Sequence, residues 1–439
     1  MNKGFRWYII GMVILINMVN YFDRTSITYA SQYFITEYGL NAKTWGEVLG
    51  FFGYGYAAGA ALGGTLADKK GAKFVWLLVA SVWSLVEIFT PYAGDIGIAA
   101  FGGSALLGLA VFRIVFGLAE GPTAAISSRS LQNWSAPKDR GFTAAMALVG
   151  VPGGAMLGAP VSVGLLVLLG VKGSFLFLGV VGFIWILIWR KIFTNMPENN
   201  KWVSSEELAE IRTTKDMLTN EKTLDQSMHN KVPWYEFFQN RTLVLNAIGY
   251  WCFMYINFVL LTWTPKYLQD VFHLQYSSLW YLGAVPWIGA TITVLLGGKI
   301  SDKLKVKTGS LRIARGGFAA ACYVFTAISF FVIPYLESYQ SILFMLFVGN
   351  ALNYLPNSVH WSAPVDIEPD KAGTFGGITH GIANTSAVVG PTLSGYLVYN
   401  YGYPSIFYAA GCVITVGIIA MLFVGKKRES IQLETGMSN

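Results

Sequence analysis

The sequence has few charged residues and few of the residue types that build metal or disulfide sites. Asp, Glu, Lys and Arg make up 13% of the 439 residues, about half of the roughly 25% that soluble domains carry. Cys252, Cys322 and Cys412 each stand alone in an apolar run, so the spacing indicates neither a disulfide framework nor a metal site. We therefore predict no metal and no cofactor.

The sequence contains many long, mostly apolar stretches. Hydrophobic residues make up 54% of the chain, and a helix needs about 20 mostly apolar residues to cross a bilayer. Twelve stretches fit: 7–30, 45–67, 74–92, 98–126, 141–169, 173–193, 242–264, 278–300, 313–333, 339–362, 373–399 and 403–425. These stretches predict an all-α, multi-pass integral membrane protein with twelve transmembrane helices.

The basic residues predict the orientation of those helices. With the N and C termini both cytoplasmic, the outer loops hold only Lys43, Lys172 and Lys266, while Arg24 and Arg113 lie inside spans. The other Lys and Arg residues then face the cytoplasm, as the positive-inside rule requires. The net charge of +7 is therefore a signal of topology, and we predict a lipid bilayer and no nucleic acid as partner.

A polar segment after the sixth span divides the chain into two halves. Within it, Ser204 followed by Glu206 and Glu207 predicts the start of a short helix. We predict an N-terminal six-helix bundle (1–193), a cytoplasmic linker (194–240), a C-terminal six-helix bundle (241–425) and a cytoplasmic tail (426–439).

The run from Gly63 to Lys73, GGTLADKKGAK, resembles the signature between the second and third helices of the major facilitator superfamily. A weaker copy, residues 297–303, ends the eighth span, which indicates a duplicated six-helix unit. The resemblance implies the major facilitator fold, built from two pseudo-symmetric six-helix bundles. It also implies a cytoplasmic gate, for which an ordinary charged turn is the alternative. The gate residues would be Gly63, Gly64, Asp68, Lys69, Lys73 and Asp302.

Four charged residues stand out inside the spans: Asp23 and Arg24 in the first, Arg113 and Glu120 in the fourth. Charges at membrane depth are expensive and usually functional. Arg113 and Glu120 are seven residues apart, so they share a helix face with their Cα atoms about 10 Å apart. We predict that the four neutralise one another and line a central cavity, with two structural ion pairs as the alternative. Glu87 in the third span is given no role.

Residues 21–24 (YFDR) and 113–122 (RIVFGLAEGP) resemble the anion:cation symporter family, which includes sugar-acid carriers, sialin and vesicular glutamate transporters. The resemblance covers almost the whole chain. It implies proton-coupled uptake of an organic anion, such as a sugar acid or another carboxylate, by alternating access. It further implies that Arg24 binds the substrate carboxylate, that Glu120 carries a proton under the control of Arg113, and that Asp23 is a second proton carrier. Tyr21 and Tyr56 match cavity-facing positions of those carriers, with packing or a place in the interfacial aromatic belt as the alternative.

Two positions depart from the galactonate-type pattern of that family. Val151 stands where an amide is usual, and His380 stands where an asparagine is usual. These changes argue against galactonate itself and leave the anion prediction intact. His380 is predicted to bind substrate or to join proton coupling. A histidine that makes only a helix contact is the alternative.

The tenth span carries a polar stripe of Asn350, Asn353 and Asn357 at three- and four-residue spacing. Asn353 and Asn357 are predicted to bind a hydroxyl-rich substrate, although asparagines also join neighbouring helices. His360, beside Trp361, is predicted to lie at the membrane interface.

Two other function classes remain open at this stage. The Gly- and Pro-rich fifth span is compatible with a proton-coupled exporter of cationic or apolar compounds. A membrane-embedded enzyme or nutrient sensor is a remote alternative, because a nucleotide loop, clustered metal ligands and a Ser/His/Asp set are all missing from the sequence. We predict a non-enzymatic, monomeric carrier in a bacterial inner membrane.

Overall fold

The computed structural model describes residues 4–212 and 233–425, and within them the regular structure is helical. In chain order the α-helices are α1 (Phe5–Tyr29), α2 (Ser31–Tyr38), α3 (Ala42–Phe89), α4 (Ala93–Ala100), α5 (Ala105–Glu120), α6 (Thr123–Trp134), α7 (Arg140–Ile192), α8 (Ser205–Ile211), α9 (Glu236–Gln239), α10 (Arg241–Phe272), α11 (Leu279–Leu282), α12 (Val285–Thr308), α13 (Phe318–Val332), α14 (Tyr339–Tyr354), α15 (Asn357–Ile367), α16 (Ala372–Asn384), α17 (Ser386–Tyr401) and α18 (Pro404–Leu422). A π-helical turn, Arg312–Gly317, leads into α13.

The all-α membrane class is confirmed. Among the described residues, nine segments are long and apolar enough to cross a membrane. Gly71 and Gly170 have φ values of 80° and 66°, which non-glycine residues rarely adopt. These glycines divide α3 and α7 into the two limbs that the sequence predicted at each place. The exact number of crossing helices, the location of the termini and the domain limits stay predictions.

Glycines allow α3 and α5 to pack backbone against backbone. A Cβ atom at Gly121 of α5 would lie 2.5 Å from the carbonyl oxygen of Tyr56 on α3. A Cβ atom at Gly117 would lie 2.8 Å from the Tyr56 nitrogen. Small residues give membrane helices this close approach. The contact places Tyr56 and its neighbour Phe52 beside the buried Glu120.

The short helix α8 docks on the N-terminus of α1. Its carboxylate Glu207 accepts the backbone N–H groups of Phe5, at 3.1 Å, and of Arg6, at 2.9 Å. These donors have no partner within α1 itself, because the first four N–H groups of a helix are left over. The Arg6 side chain then donates to Glu210 at 2.6 Å and to Asp139 at 3.1 Å. The predicted helix start at Ser204 is confirmed, since its hydroxyl accepts the Glu207 N–H.

Acid should loosen this docking. Hydrogen bonds from Arg6 and from Lys138 lower the pKa of Glu210 to about 2, below its ordinary value of 4.5. A depressed folded-state pKa gives stability that is present above the unfolded pKa and is lost as the pH falls towards the folded pKa. We therefore expect Glu210→Gln to lower the melting temperature near neutral pH, with a difference from wild type that shrinks between about pH 4.5 and about pH 2. Thermal unfolding in detergent at several pH values measures it. A difference that is the same at every pH would contradict this role.

At the end of the bundle opposite α8, the two halves of the chain touch directly. A Cβ atom at Gly46 of α3 would lie 2.7 Å from the carbonyl oxygen of Pro391 and 2.8 Å from the Cα atom of Gly395, both on α17. These are backbone atoms, so neither can swing aside. The contact therefore closes this end of the molecule only while position 46 carries no side chain.

Adding one methyl group at position 46 should open that end. Overpacking costs about 1–3 kcal/mol, which shifts a two-state equilibrium roughly 5- to 150-fold. We expect Gly46→Ala to lengthen the distance between spin labels at Lys43 and Tyr399, in a background where the exposed Cys412 is replaced by serine. Gly11→Ala is the matched control, because a Cβ atom there meets nothing within 4 Å. An unchanged distance distribution for Gly46→Ala would refute the closure.

Candidate functional site

A cavity of about 370 Å³ lies between the two halves of the molecule. It extends along α6 to Ser128 and Gln132, which are exposed to solvent on the side where α8 docks. It is therefore open on the α8 side and closed on the side of the Gly46 contact. The residues that line its deeper part are Asn17, Asn20, Tyr21, Arg24 and Tyr56 from the first half, and Tyr250, Phe253, Tyr354, Asn357, Trp361, His380 and Asn384 from the second.

Arg24 is the charged group in the deep part of this cavity. Its Nε donates to Oε2 of Glu120 at 2.6 Å, and the two side chains are 6% and 0% exposed. The guanidinium carbon lies 4.7 Å from the ring centre of Tyr56, 4.9 Å from that of Phe52 and 5.1 Å from that of Tyr21. Aromatic faces attract cations at such distances. Within the described residues only Nε has a hydrogen-bond partner, so both terminal amino groups are available to a ligand in the cavity.

The other three charges of the predicted cluster lie behind Arg24. Asp23, Arg113 and Glu120 are 2%, 7% and 0% exposed, and none of them lines the cavity. Asp23 acts electrostatically on Arg24 and Glu120, and so does Arg113. The four charges thus meet as predicted. The expectation that all four line the cavity is wrong, because Arg24 covers Glu120 and the Phe52 ring lies against both arginines.

His380 faces Arg24 from the other half of the molecule. Its Nδ1 lies 3.4 Å from the hydroxyl of Tyr250, and the described residues offer no partner to its buried Nε2. The Oδ1 atom of Asn357 is likewise buried without a partner in that part of the chain, whereas the Asn20 side chain interacts with Glu120. Buried polar groups normally have partners. Unsatisfied atoms on residues that line one cavity are what a polar ligand would need.

The tenth predicted span divides into residues that line the cavity and residues that join helices. Asn357 lines the cavity, whereas Asn350 donates to the Pro286 carbonyl at 3.0 Å and Asn353 to the Phe253 carbonyl at 3.3 Å. The structure thus places Asn353 at a helix contact. His360 is 1% exposed, so its prediction as an interfacial residue is wrong.

His360 is buried because both of its ring nitrogens have partners. Nε2 lies 2.7 Å from the Tyr323 hydroxyl, and Nδ1 lies 3.0 Å from the Asn246 side-chain oxygen. The ring also stacks on Tyr250, with the two centres 4.8 Å apart. This network holds Tyr250 in place at the cavity wall.

The predicted gate residues lie on the α8 side. A Cβ atom at Gly63 would lie 2.6 Å from the Cα atom of Pro122, whereas one at Gly64 would meet nothing within 4 Å. Lys69 is exposed, and the backbone N–H of Lys73 donates to the side-chain oxygen of Asn195 at 2.8 Å. The Asp68 side chain lies outside the described residues.

The second copy of the gate motif forms an ion network. Asp302 lies 2.9 Å from Arg315, which also contacts Asp366 at 2.8 Å. Lys305 joins the same Asp366 at 2.7 Å. Asp302 thus has a specific ion-pair partner in Arg315. Its role in gating stays a prediction.

Sequence reasoning missed two kinds of residue at this site. Glu87 carries a charge at membrane depth, and that signal was available. Phe52, Tyr250, Tyr354 and Trp361 are aromatic residues in aromatic-rich helices, so one sequence does not distinguish them from core residues.

Comparison with known proteins identifies the family to which the chain belongs. The family model described as Major Facilitator Superfamily matches residues 13–379. The chain belongs to the Major Facilitator Superfamily. Its members are non-enzymatic carriers, so this chain is a transporter and a multi-pass integral membrane protein. Bacterial relatives agree with a bacterial inner membrane.

Relatives of this Major Facilitator protein include two bacterial transporters named for their substrates and human Sialin. The chain is 29% identical to the Probable sulfoacetate transporter SauU of Cupriavidus necator, over 95% of this chain and 94% of that one. It is 27% identical to the Hexuronate transporter of Bacillus subtilis, over 94% and 93%. It is 24% identical to human Sialin, over 89% and 77%.

A solved structure confirms the fold. A bacterial homolog of the human lysosomal transporter Spinster, in an inward-facing and unoccupied conformation, superposes with a TM-score of 0.76. The match covers 97% of this chain and 98% of that one at 16% sequence identity.

Proposed function

We propose that this transporter takes up a small organic anion, a sugar acid or another carboxylate, together with protons, by alternating access. The observation that carries the proposal is the Arg24 guanidinium, which faces the cavity and is held by the buried Glu120. A carboxylate is the natural partner of its terminal amino groups, because the planar fork of arginine matches two carboxylate oxygens. Relatives named as sulfoacetate and hexuronate transporters support an anion.

The pairing of Arg24 with Glu120 suggests how protons and substrate are coupled. While Glu120 is ionised, it competes with the substrate for Arg24. A proton on Glu120 removes that competition, so the guanidinium is available to the anion. Loss of this proton restores the internal pair and displaces the anion. The coupling is strong because the pair is buried, where charges interact across a low dielectric.

Two further groups would position the substrate. The buried Nε2 of His380 and Oδ1 of Asn357, both without partners in the described part of the chain, can bond hydroxyl groups on the far side of the anion from Arg24. Tyr21 and Tyr56 provide ring faces next to the guanidinium. Arg113 adds a second positive charge near Glu120, and we propose that it tunes how readily Glu120 accepts a proton.

Alternating access requires the two ends of the cavity to open in turn. The structure is open on the α8 side, which the positive-inside rule predicts to be cytoplasmic. We propose that it represents the inward-facing state. The reverse state would separate Gly46 from Pro391 and close the α8 side, where the motif copies at Gly63–Lys73 and Asp302 lie.

Uptake into proteoliposomes tests the proposal. The panel is galactonate, gluconate, glucarate, glucuronate, sialate and simple dicarboxylates, each measured with and without an inward proton gradient. We expect gradient-driven accumulation of at least one of them by the wild-type protein. No uptake of any anion by folded protein would overturn the proposal.

The aromatic residues that line the cavity are also compatible with an alternative function, an exporter of lipophilic cations. Phe253, Tyr354 and Trp361 line the cavity, and aromatic faces bind organic cations. Arg24 opposes this alternative, because it places a positive charge in the same cavity. Thermal unfolding with each ligand class separates the two. Protection by sugar acids supports the symporter, and protection by lipophilic cations supports the exporter.

A further inference from the structure

Glu87 is a buried carboxyl that the proposed mechanism leaves unused. It lies on the second limb of α3 and is 2% exposed. Its Oε1 has no hydrogen-bond partner among the described residues. An ionised carboxylate in that position, without hydrogen bonds, would cost several kcal/mol. Stability alone therefore does not explain why a glutamate occupies this site.

The charges around Glu87 are those of the coupling site. Asp23 of α1 and both Arg113 and Glu120 of α5 act on its carboxyl electrostatically. The limb of α7 that packs on this stretch of α3 presents Gly179 and Gly182 to it. Glu87 therefore belongs to the same cluster as Arg24, Arg113, Asp23 and Glu120.

With Glu87 included, the cluster contains more acids than bases. Three carboxyls and two guanidiniums give 2 − 3 = −1 when all are ionised. Because a buried net charge is costly, the empty site is neutral with one bound proton. A bound monoanion brings the total to −2, so the loaded site is neutral with two. Without Glu87, the empty site needs no proton and the loaded site needs one. Glu87 therefore adds one proton to each state and leaves the uptake at one proton per monoanion.

The position of Glu87 suggests which side supplies its proton. The cavity opens on the α8 side and its lining includes Arg24, but Asp23, Glu87, Arg113 and Glu120 lie outside that lining. Water on the α8 side therefore meets Arg24 before it reaches the acids. When the opposite end opens, protons can reach the acids from behind Arg24.

We propose that Glu87 is a third proton-carrying carboxyl of this transporter, loaded from the side opposite α8. A proton from water on that side bonds to a Glu87 carboxylate oxygen. It then moves to the Glu120 carboxylate, through Asp23 or an intervening water, so that one O–H bond forms as another breaks and no electrons are exchanged. The inference rests on the proposed proton-coupled function and adds a residue and an entry side to it.

Infrared titration tests the proton on Glu87 without any substrate. Protonated carboxyls in apolar surroundings give a carbonyl stretch that disappears on ionisation. We expect the wild-type protein to show such a band, which disappears as the pH is raised. In Glu87→Gln the titrating amplitude should fall by one carboxyl. In Glu87→Asp it should persist at a shifted frequency, and Glu37→Gln, which removes an exposed carboxyl, should leave it unchanged.

Transport by the same variants tests coupling. With no membrane potential and a pH difference of one unit, each coupled proton supports about tenfold accumulation. Because the charge count gives one proton per monoanion with or without Glu87, we expect Glu87→Gln to reach the wild-type level of glucuronate accumulation at a lower initial rate of gradient-driven uptake. Counterflow exchange should continue, and Glu87→Asp should restore part of the rate. A titrating infrared amplitude that is unchanged in Glu87→Gln, or a wild-type initial rate of gradient-driven uptake in that variant, would overturn the proposal. If the wild type moves no anion of the panel, the proposed function fails, and the infrared titration still decides whether Glu87 exchanges a proton.

Discussion

Arg24→Ala should abolish anion binding and transport while the protein still folds. Removing one partner of a buried, charge-assisted pair costs about 2–5 kcal/mol, which is a loss of affinity of roughly 30- to 4000-fold. The reason is local, because Arg24 is the charged group in the deep cavity and its terminal amino groups face the ligand space. Protection from thermal unfolding by the anion panel measures binding, and uptake into proteoliposomes measures transport.

Two companion variants separate charge from shape and binding from stability. Arg24→Lys keeps the positive charge and loses the planar fork, so we expect weak binding to remain. Arg24→Ala also leaves Glu120 buried without its partner, which costs about 3–5 kcal/mol of stability. The double variant Arg24→Ala, Glu120→Gln removes that unpaired charge, so it should regain stability and still fail to bind anions. Wild-type affinity in Arg24→Ala would refute the role of this residue.

The charged residues of the site could be predicted from the sequence because charge at membrane depth is rare. Asp23, Arg24, Arg113 and Glu120 each break an apolar run, and that alone marks them. Their pairing could not be predicted, because the partner of Glu120 is on another helix. The seven-residue spacing pointed to Arg113, whereas the structure gives the direct contact at 2.6 Å to Arg24.

The polar residues of the second half were harder to predict. Asn353, Asn357 and His360 carry the same signal in the sequence, a polar group in an apolar helix. Packing gives them different places: a helix contact for Asn353, the cavity for Asn357 and a buried network for His360. Which way a side chain faces depends on the neighbouring helices, and one sequence does not contain that information.

The fold itself was easier to predict, because each membrane helix is marked by an apolar stretch of about 20 residues. Long apolar stretches identify the helices. Gly71 and Gly170 lie at the kinks where two predicted helices follow one another within α3 and within α7. The contact of Gly46 with Pro391 was not predictable, because it joins the two halves across 345 residues of chain (391 − 46). That contact determines which end of the cavity is closed.

Glu120→Gln should separate anion exchange from proton-driven accumulation. Glutamine has the shape of a protonated glutamate, so the variant fixes the site in the state in which Arg24 is free for the anion. We expect counterflow exchange of a transported anion to continue. Accumulation under a one-unit proton gradient, about tenfold for one coupled proton, should fall to about the level without a gradient.

Binding at equilibrium makes this test independent of transport rates. In the wild type, an ionised Glu120 competes with the anion for Arg24, so affinity should rise as the pH falls. In Glu120→Gln that competitor is missing, so affinity should be high at every pH and depend far less on it. Glu37→Gln, which alters an exposed carboxyl on α2, should keep the wild-type pH dependence. A variant at position 120 whose affinity varied with pH as in the wild type would show that another carboxyl controls Arg24, and Asp23 would then be the first to replace, because it also acts on that guanidinium.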